Sequence, residues 1–115
     1  MFYRRKYYRI STEFLKPFNQ LFNTINLPNQ LKHGARLVGR WSMPLDDGIT
    51  EVFAIWEYDD YNKYVEIEDA VRSDKYHVDK VLKWYEGHGG KSFVQSTYFI
   101  EVRNEKIEDT VHVQK

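Results

Sequence analysis

Apolar residues follow two rhythms along this chain, one of period two and one of helical spacing. Phe2 to Arg9 is rich in Tyr and Phe and reads as a strand. Ser11 and Thr12 are helix-start residues. Phe14, Phe18, Leu21, Phe22 and Ile25 then recur at helical spacing and give one apolar face. Pro17 fits if regular helix begins near Lys16 or if the first turn is irregular, because an interior Pro removes a backbone bond. Leu27 to Leu31 reads as a further short turn with Pro28 near its start, and Gly34 after His33 ends the helical region.

Ala35 to Met43 and Glu51 to Tyr58 read as the second and third strands. Between them stands Pro44-Leu45-Asp46-Asp47-Gly48, with Asp-Gly its strongest turn signal, so the two strands form an antiparallel hairpin. Asp59 or Asp60 caps a helix that runs to about Arg72. Asp74 caps another helical segment with Val78, Val81, Leu82 and Tyr85 on one face. Gly87-His88-Gly89-Gly90 is the stop, and Ser92 to Val102 reads as the fourth strand.

The order β-α-β-β-α-β is the ferredoxin-like split arrangement, an α+β fold with a four-stranded antiparallel sheet and its helices on one face. Residues 1–103 are expected to form one domain, and 104–115 a polar C-terminal tail. A sheet covered on one side and wet on the other should alternate cleanly. These strands do not. Val52, Ala54, Trp56 and Tyr58 point one way, Phe53 and Ile55 the other. Leu37, Trp41 and Met43 are read onto one side of the second strand and Val38 onto the other. In the fourth, Phe93 and Phe99 oppose Val94, Tyr98, Ile100 and Val102. Both faces carry large apolar groups, and two helical regions cover only one. A second copy packed on the open face is the expected solution, which makes a homodimer. A monomer with a large ligand groove is the alternative.

Composition sharpens this picture. Aromatic residues make up 17% of the 115-residue chain, and side chains so large need burial somewhere. With no cysteine, a disulfide framework, thiolate metal site or cysteine nucleophile is excluded. Lys plus Arg and Asp plus Glu number 17 each, so no basic excess points to nucleic acid. No window holds the roughly 18 apolar residues of a membrane span, and MFYRRKYYRI lacks a signal-peptide core. A cytoplasmic protein without membrane association is expected.

The run His33-Gly34-Ala35-Arg36-Leu37-Val38-Gly39-Arg40-Trp41 resembles the "HG…GxW" signature of the NIPSNAP family. Val52 to Tyr58 resembles that family's "LWxY" third strand, and Tyr3 to Tyr8 its "YELRxYR" first strand. The similarity covers roughly residues 2 to 100. It implies the dimeric α+β barrel, a fold shared with antibiotic-biosynthesis and heme-degrading monooxygenases, chlorite dismutases and stress-responsive barrel proteins. Because family members are mostly uncharacterised, the resemblance does not single out an activity.

Candidate site residues are few. Trp41, Trp56, Tyr58, Tyr3 and Tyr7 form an aromatic set that either packs core and interface or lines a cavity for a flat, apolar ligand. Arg5 and Arg36 could add a positive group for an anion. His33 either caps helix carbonyls or faces the pocket mouth. The layout Ile55 to Tyr58, then Tyr76-His77, is similar to heme-degrading monooxygenases of this fold, where a helix His ligates iron. The chain departs from them in having Arg4, Arg5 and Lys6 in place of a strand-one Asn, and Tyr64 in place of a Trp. His77 is otherwise a partly exposed helix residue. His88 and His112 are expected to be solvated. No His pair has metal-ligand spacing, no phosphate loop or nucleophile elbow occurs, and no cofactor is assigned. The expected function is binding of a small apolar or aromatic ligand or a protein partner by a homodimer, with a heme-degrading or cofactor-independent monooxygenase as the alternative.

Overall fold

The computed structural model describes residues 1–45 and 47–111. Four strands, β1 (Phe2–Ser11), β2 (Arg36–Pro44), β3 (Ile49–Tyr58) and β4 (Phe99–Ile107), form one antiparallel sheet in the order β2-β3-β1-β4. The sheet has the topology expected of the ferredoxin-like arrangement. Between β1 and β2 the chain is helical throughout but not regular. A 3-10 turn at Thr12–Phe14 leads into α1 (Leu15–Leu21), a π-helical turn at Phe22–Asn26 and α2 (Leu27–Lys32). The irregular first turn puts Pro17 at the third residue of α1, where its missing N–H has no intrahelical partner to lose.

After the hairpin come α3 (Tyr61–Ser73) and α4 (Lys75–Glu86). Both have the caps read from sequence. The Asp60 carboxylate accepts from Lys63 N, and the Asp74 carboxylate accepts from His77 N. At the hairpin turn Asp47 and Gly48 take positive φ of 65° and 72°, which Asp and Gly tolerate best. Asp46 of that expected turn lies outside the described residues. Thr12 N donates to Gly48 O (2.8 Å), tying the turn to the start of the helical region.

Three expectations need correction. First, Lys91–Tyr98 is a helix, α5, and β4 starts only at Phe99. Phe99 stands opposite Ile10, one residue before β1 ends, so a strand reaching back to Ser92 would have had no partner. Val94 is instead fully buried against Ile10 and Phe14. Second, β4 extends to Ile107, opposite Tyr3. Residues 104–107 of the expected tail are therefore sheet, because β1 still offers unpaired backbone there. Third, a β-bulge interrupts β2 between Leu37 and Gly39. The extra residue, Val38, reverses the phase of the strand. Leu37 pairs with Trp56 on the helix side, whereas Trp41 pairs with Phe53 and Met43 with Glu51 on the open side. Leu37 and Trp41 thus face opposite ways.

The helix-facing residues of β3 (Val52, Ala54, Trp56, Tyr58) are almost wholly buried. They fall into two separate clusters. One gathers Phe2, Ala35, Ala54, Trp56, Tyr58, Ile67 and Val71. The other gathers Ile10, Phe14, Phe18, Leu21, Val52 and Val94. On the open face Trp41 and Met43 remain 47% and 50% exposed, so among the described residues nothing covers that part of the sheet.

Candidate functional site

The two core clusters do not meet along their whole length. Between them lies a cavity of about 230 Å³, roofed by the helices and floored by the sheet. Its apolar wall takes Phe22, Ala54, Trp56 and Val71 from one cluster and Tyr8, Phe18 and Val52 from the other. Polar groups share that wall: Lys6 and Arg40 from the sheet, Asn26 and Gln30 from the helical region before β2, Glu68 from α3, and His77 from α4.

Local structure explains each position. Lys6 falls on β1 in phase with Phe2, Tyr8 and Ile10, and so faces the helices; its partner across the strands is Ala54. The bulge at Val38 places Arg40 opposite Ala54 from the other side. Glu68 follows Tyr64 and precedes Val71 at helical spacing, on the buried face of α3.

Among the described residues, several polar atoms of these side chains are sealed from solvent without a hydrogen-bond partner. Among them are Arg40 Nη2, Trp56 Nε1, Gln30 Oε1 and Glu68 Oε1. A native core leaves few such groups, since each costs about 1–3 kcal/mol. Here the four residues that carry them line one cavity. Glu68 is balanced by charge: Lys6 Nζ and Arg72 Nη2 each lie 3.7 Å from its carboxylate. Arg40 donates through Nη1 to Asn19 Oδ1 (2.6 Å), and its guanidinium lies over the rings of Phe22 (4.4 Å) and Phe18 (5.2 Å). Burial lowers its pKa to about 10, so it stays cationic at neutral pH. Burial likewise raises the Tyr8 hydroxyl and, with the Glu68 charge adding to it, the Tyr58 hydroxyl. Burial pulls the His77 imidazole down, against the opposing pull of Asp74.

Of the residues singled out from sequence, the structure brings Trp56 and His77 to this cavity. Tyr58 and Tyr64 stand beside it in the same cluster, with ring centroids 5.0 Å apart. Arg5, Arg36 and Trp41 lie on the opposite, open face. Arg5 is bonded to Glu105 (3.0 Å), and Arg36 to Glu57 (3.0 Å) and Asp59 (2.9 Å), so neither is left for an anion in the cavity. Trp41 pairs with Phe53 (5.5 Å), over which Arg5 also lies (5.0 Å). His33 neither caps helix carbonyls with its ring nor reaches the cavity: Nε2 meets Asp74 Oδ2 at 2.9 Å and joins the end of α2 to the start of α4. His88 is only half-exposed: its ring lies against Trp84 (4.2 Å) and its Nδ1 donates to Trp84 O (2.8 Å). His112 lies outside the described residues.

Sequence reasoning missed Lys6, Arg40, Gln30 and Glu68. Two of them carried a signal: Lys6 occupies an inward phase of β1, and Glu68 interrupts the apolar stripe of α3. Arg40 carried none, because the bulge that turns it inward has no mark in the sequence. Among the described residues no group of three or more His, Asp or Glu side chains could hold a metal ion, and no helix is long and apolar enough to cross a membrane.

A NIPSNAP family model matches residues 3–86. No curated protein matches the chain. Among solved structures, an uncharacterized NIPSNAP domain protein from Burkholderia xenovorans is 19% identical, with all of both chains covered and a TM-score of 0.66. A NIPSNAP family protein with unknown function from Agrobacterium tumefaciens is 17% identical over 93% of this chain and 86% of its own, with a TM-score of 0.66. A dimeric ferredoxin-like protein from an uncultured marine organism is 11% identical over 98% and 99%, with a TM-score of 0.50.

Proposed function

The chain belongs to the NIPSNAP family, and from that premise we propose a homodimer, each subunit of which binds a small apolar or aromatic molecule in the cavity between helices and sheet. One observation carries the binding reading: a cavity of about 230 Å³ divides the core and is walled by aromatic rings and a few polar side chains. A cavity of roughly 150 Å³ in another protein takes up benzene, so this one has room for a one- or two-ring molecule. Apolar walls with a few convergent polar groups are the usual make-up of a ligand site.

The open face supports the dimer. Trp41, Met43, Phe53 and Ile55 lie there beside the opposite charges of Arg5, Glu105 and Arg103. A face with both apolar and paired charged groups can meet its own copy across a two-fold axis. The neighbour from the uncultured marine organism is itself dimeric.

Titrating a set of one- and two-ring aromatic compounds into ¹⁵N-labelled protein tests the binding reading. Saturable movement of the Trp56 indole resonance, assigned with Trp56→Phe, is the expected result. Failure of every compound to move it would contradict the reading. Against a heme-dependent monooxygenase, a porphyrin is a much larger plate than the cavity admits. A hemin titration is expected to give no Soret shift that His77→Ala abolishes.

A further inference from the structure

The cavity holds two opposite charge environments, and only one of them is balanced. At the Glu68 end the carboxylate sits 3.7 Å from both Lys6 and Arg72. At the Arg40 end, among the described residues, no carboxylate oxygen comes within 4.0 Å of the guanidinium. Among the described residues, the one side-chain hydrogen bond of Arg40 goes to a neutral amide, Asn19, and Nη2 is left sealed and unpartnered. Arg40 is half-buried, and a cation partly withdrawn from water without a counter-charge carries a desolvation cost.

A second donor lies near it. Arg40 stands opposite Ala54, and Trp56 is two residues further along β3 on the same side of the sheet. Residues so related are diagonal neighbours, about 7–8 Å apart and within reach of a shared ligand. Trp56 Nε1 is also unpartnered. Arg40 and Trp56 both line a space walled by Phe18 and Phe22, and the Arg40 guanidinium brings a positive charge to it.

We propose that the cavity takes an organic anion: a carboxylate carried on an apolar or aromatic body, with its oxygens turned toward the Arg40 guanidinium. This rests on the reading of the cavity as a binding site. The rings of Phe18 and Phe22 flank the body. At the other end Lys6 is committed to Glu68, so the uncompensated charge of Arg40 fixes which way round the ligand lies. Arg36 and Arg5 play no part, because both are committed to carboxylates on the open face. Among the described residues Arg40 is the one arginine in the cavity wall, and its fork-shaped guanidinium suits a carboxylate.

The test compares 1-naphthoate with 1-naphthamide, which has the same rings and a neutral head, by calorimetric titration and by the Trp56 indole resonance. Wild type is expected to bind the carboxylate roughly ten- to a hundredfold more tightly than the amide, the range of a charge-assisted hydrogen bond. Arg40→Gln should bring naphthoate down to the level of naphthamide, and Arg40→Lys, which keeps the charge, should retain part of the preference. Melting curves establish that both variants fold. If Arg40→Gln does not fold, the wild-type comparison and Arg40→Lys still decide the matter. Equal binding of the two probes by wild type, or an undiminished preference in Arg40→Gln, overturns the anion assignment and leaves the cavity standing as a site. If neither probe moves the Trp56 indole, the assignment falls together with the binding reading beneath it.

Discussion

The indole of Trp41 lies over Gly39, in the space that a Cβ on Gly39 would occupy. Gly39 does not need its freedom of φ here. It is required because the ring two residues on folds back across it, on the face shared with Phe53. The Gly-x-Trp spacing in this chain is thus a packing relation, and the residue between the two, Arg40, is turned the other way into the cavity. Replacing Gly39 with Ala should destabilise the protein by about 1–3 kcal/mol, as overpacking does. In the Trp41→Ala background the same change should cost much less, and a double-mutant cycle by denaturant unfolding measures the difference. Additive effects would refute the relation.

Trp56 is 2% exposed and joins Phe22, Ala54 and Val71 in one cluster. Trp56→Ala is expected to cost about 3–5 kcal/mol, in the range of large-to-small core changes. Trp56→Phe should cost far less than that, because the indole N–H it removes makes no bond among the described residues. A Phe variant as unstable as the Ala variant would show that the N–H has a partner after all.

Much of this fold was legible in the sequence because its signals were local. Asp60 and Asp74 precede apolar periodicity and cap the helices as read. Asp47-Gly48 turns the hairpin, and Pro17 marked an irregular start that the 3-10 turn supplies. What was not legible depended on partners distant in sequence. Phe93, Val94 and Tyr98 have the composition of a strand, yet β1 ends before it could pair with them. Val38 gives no sign of the bulge that sends Leu37 and Trp41 to opposite faces. The cavity was illegible for the same reason. Its floor comes from three strands, and Arg40 enters it only through that bulge.

Asp74 joins three elements of charge and backbone. The hydrogen bond from His33 is the foremost cause holding its carboxyl well below the ordinary value of 3.8, followed by His77 N and Lys32. A depressed folded value means that the stabilisation is present at neutral pH and is lost as pH falls below about that ordinary value, through the folded one. Asp74→Asn should therefore melt at a lower temperature than wild type at pH 7, and the gap should narrow below pH 3.8. A gap independent of pH would assign the effect to shape and not to charge.

The open face offers a separate test. Phe53 lies at its centre, between Trp41 (5.5 Å) and the Arg5 guanidinium (5.0 Å). Phe53→Asp is expected to halve the mass in solution, measured by light scattering, because a buried unpaired charge at an interface is strongly unfavourable. A wild-type protein that is already monomeric would contradict the homodimer.

The most direct measurement fills the cavity. Ala54 is 5% exposed and lies on the cavity floor between Lys6 and Arg40, so Ala54→Leu or Ala54→Phe occupies the space from within. Titration of wild type with 2-naphthol, followed on the Trp56 indole resonance, should give a saturable shift. The filled variants, verified as folded by their melting curves, should lose it. A shift that survives in them, or none in wild type, would contradict the claim that this cavity binds a small aromatic molecule.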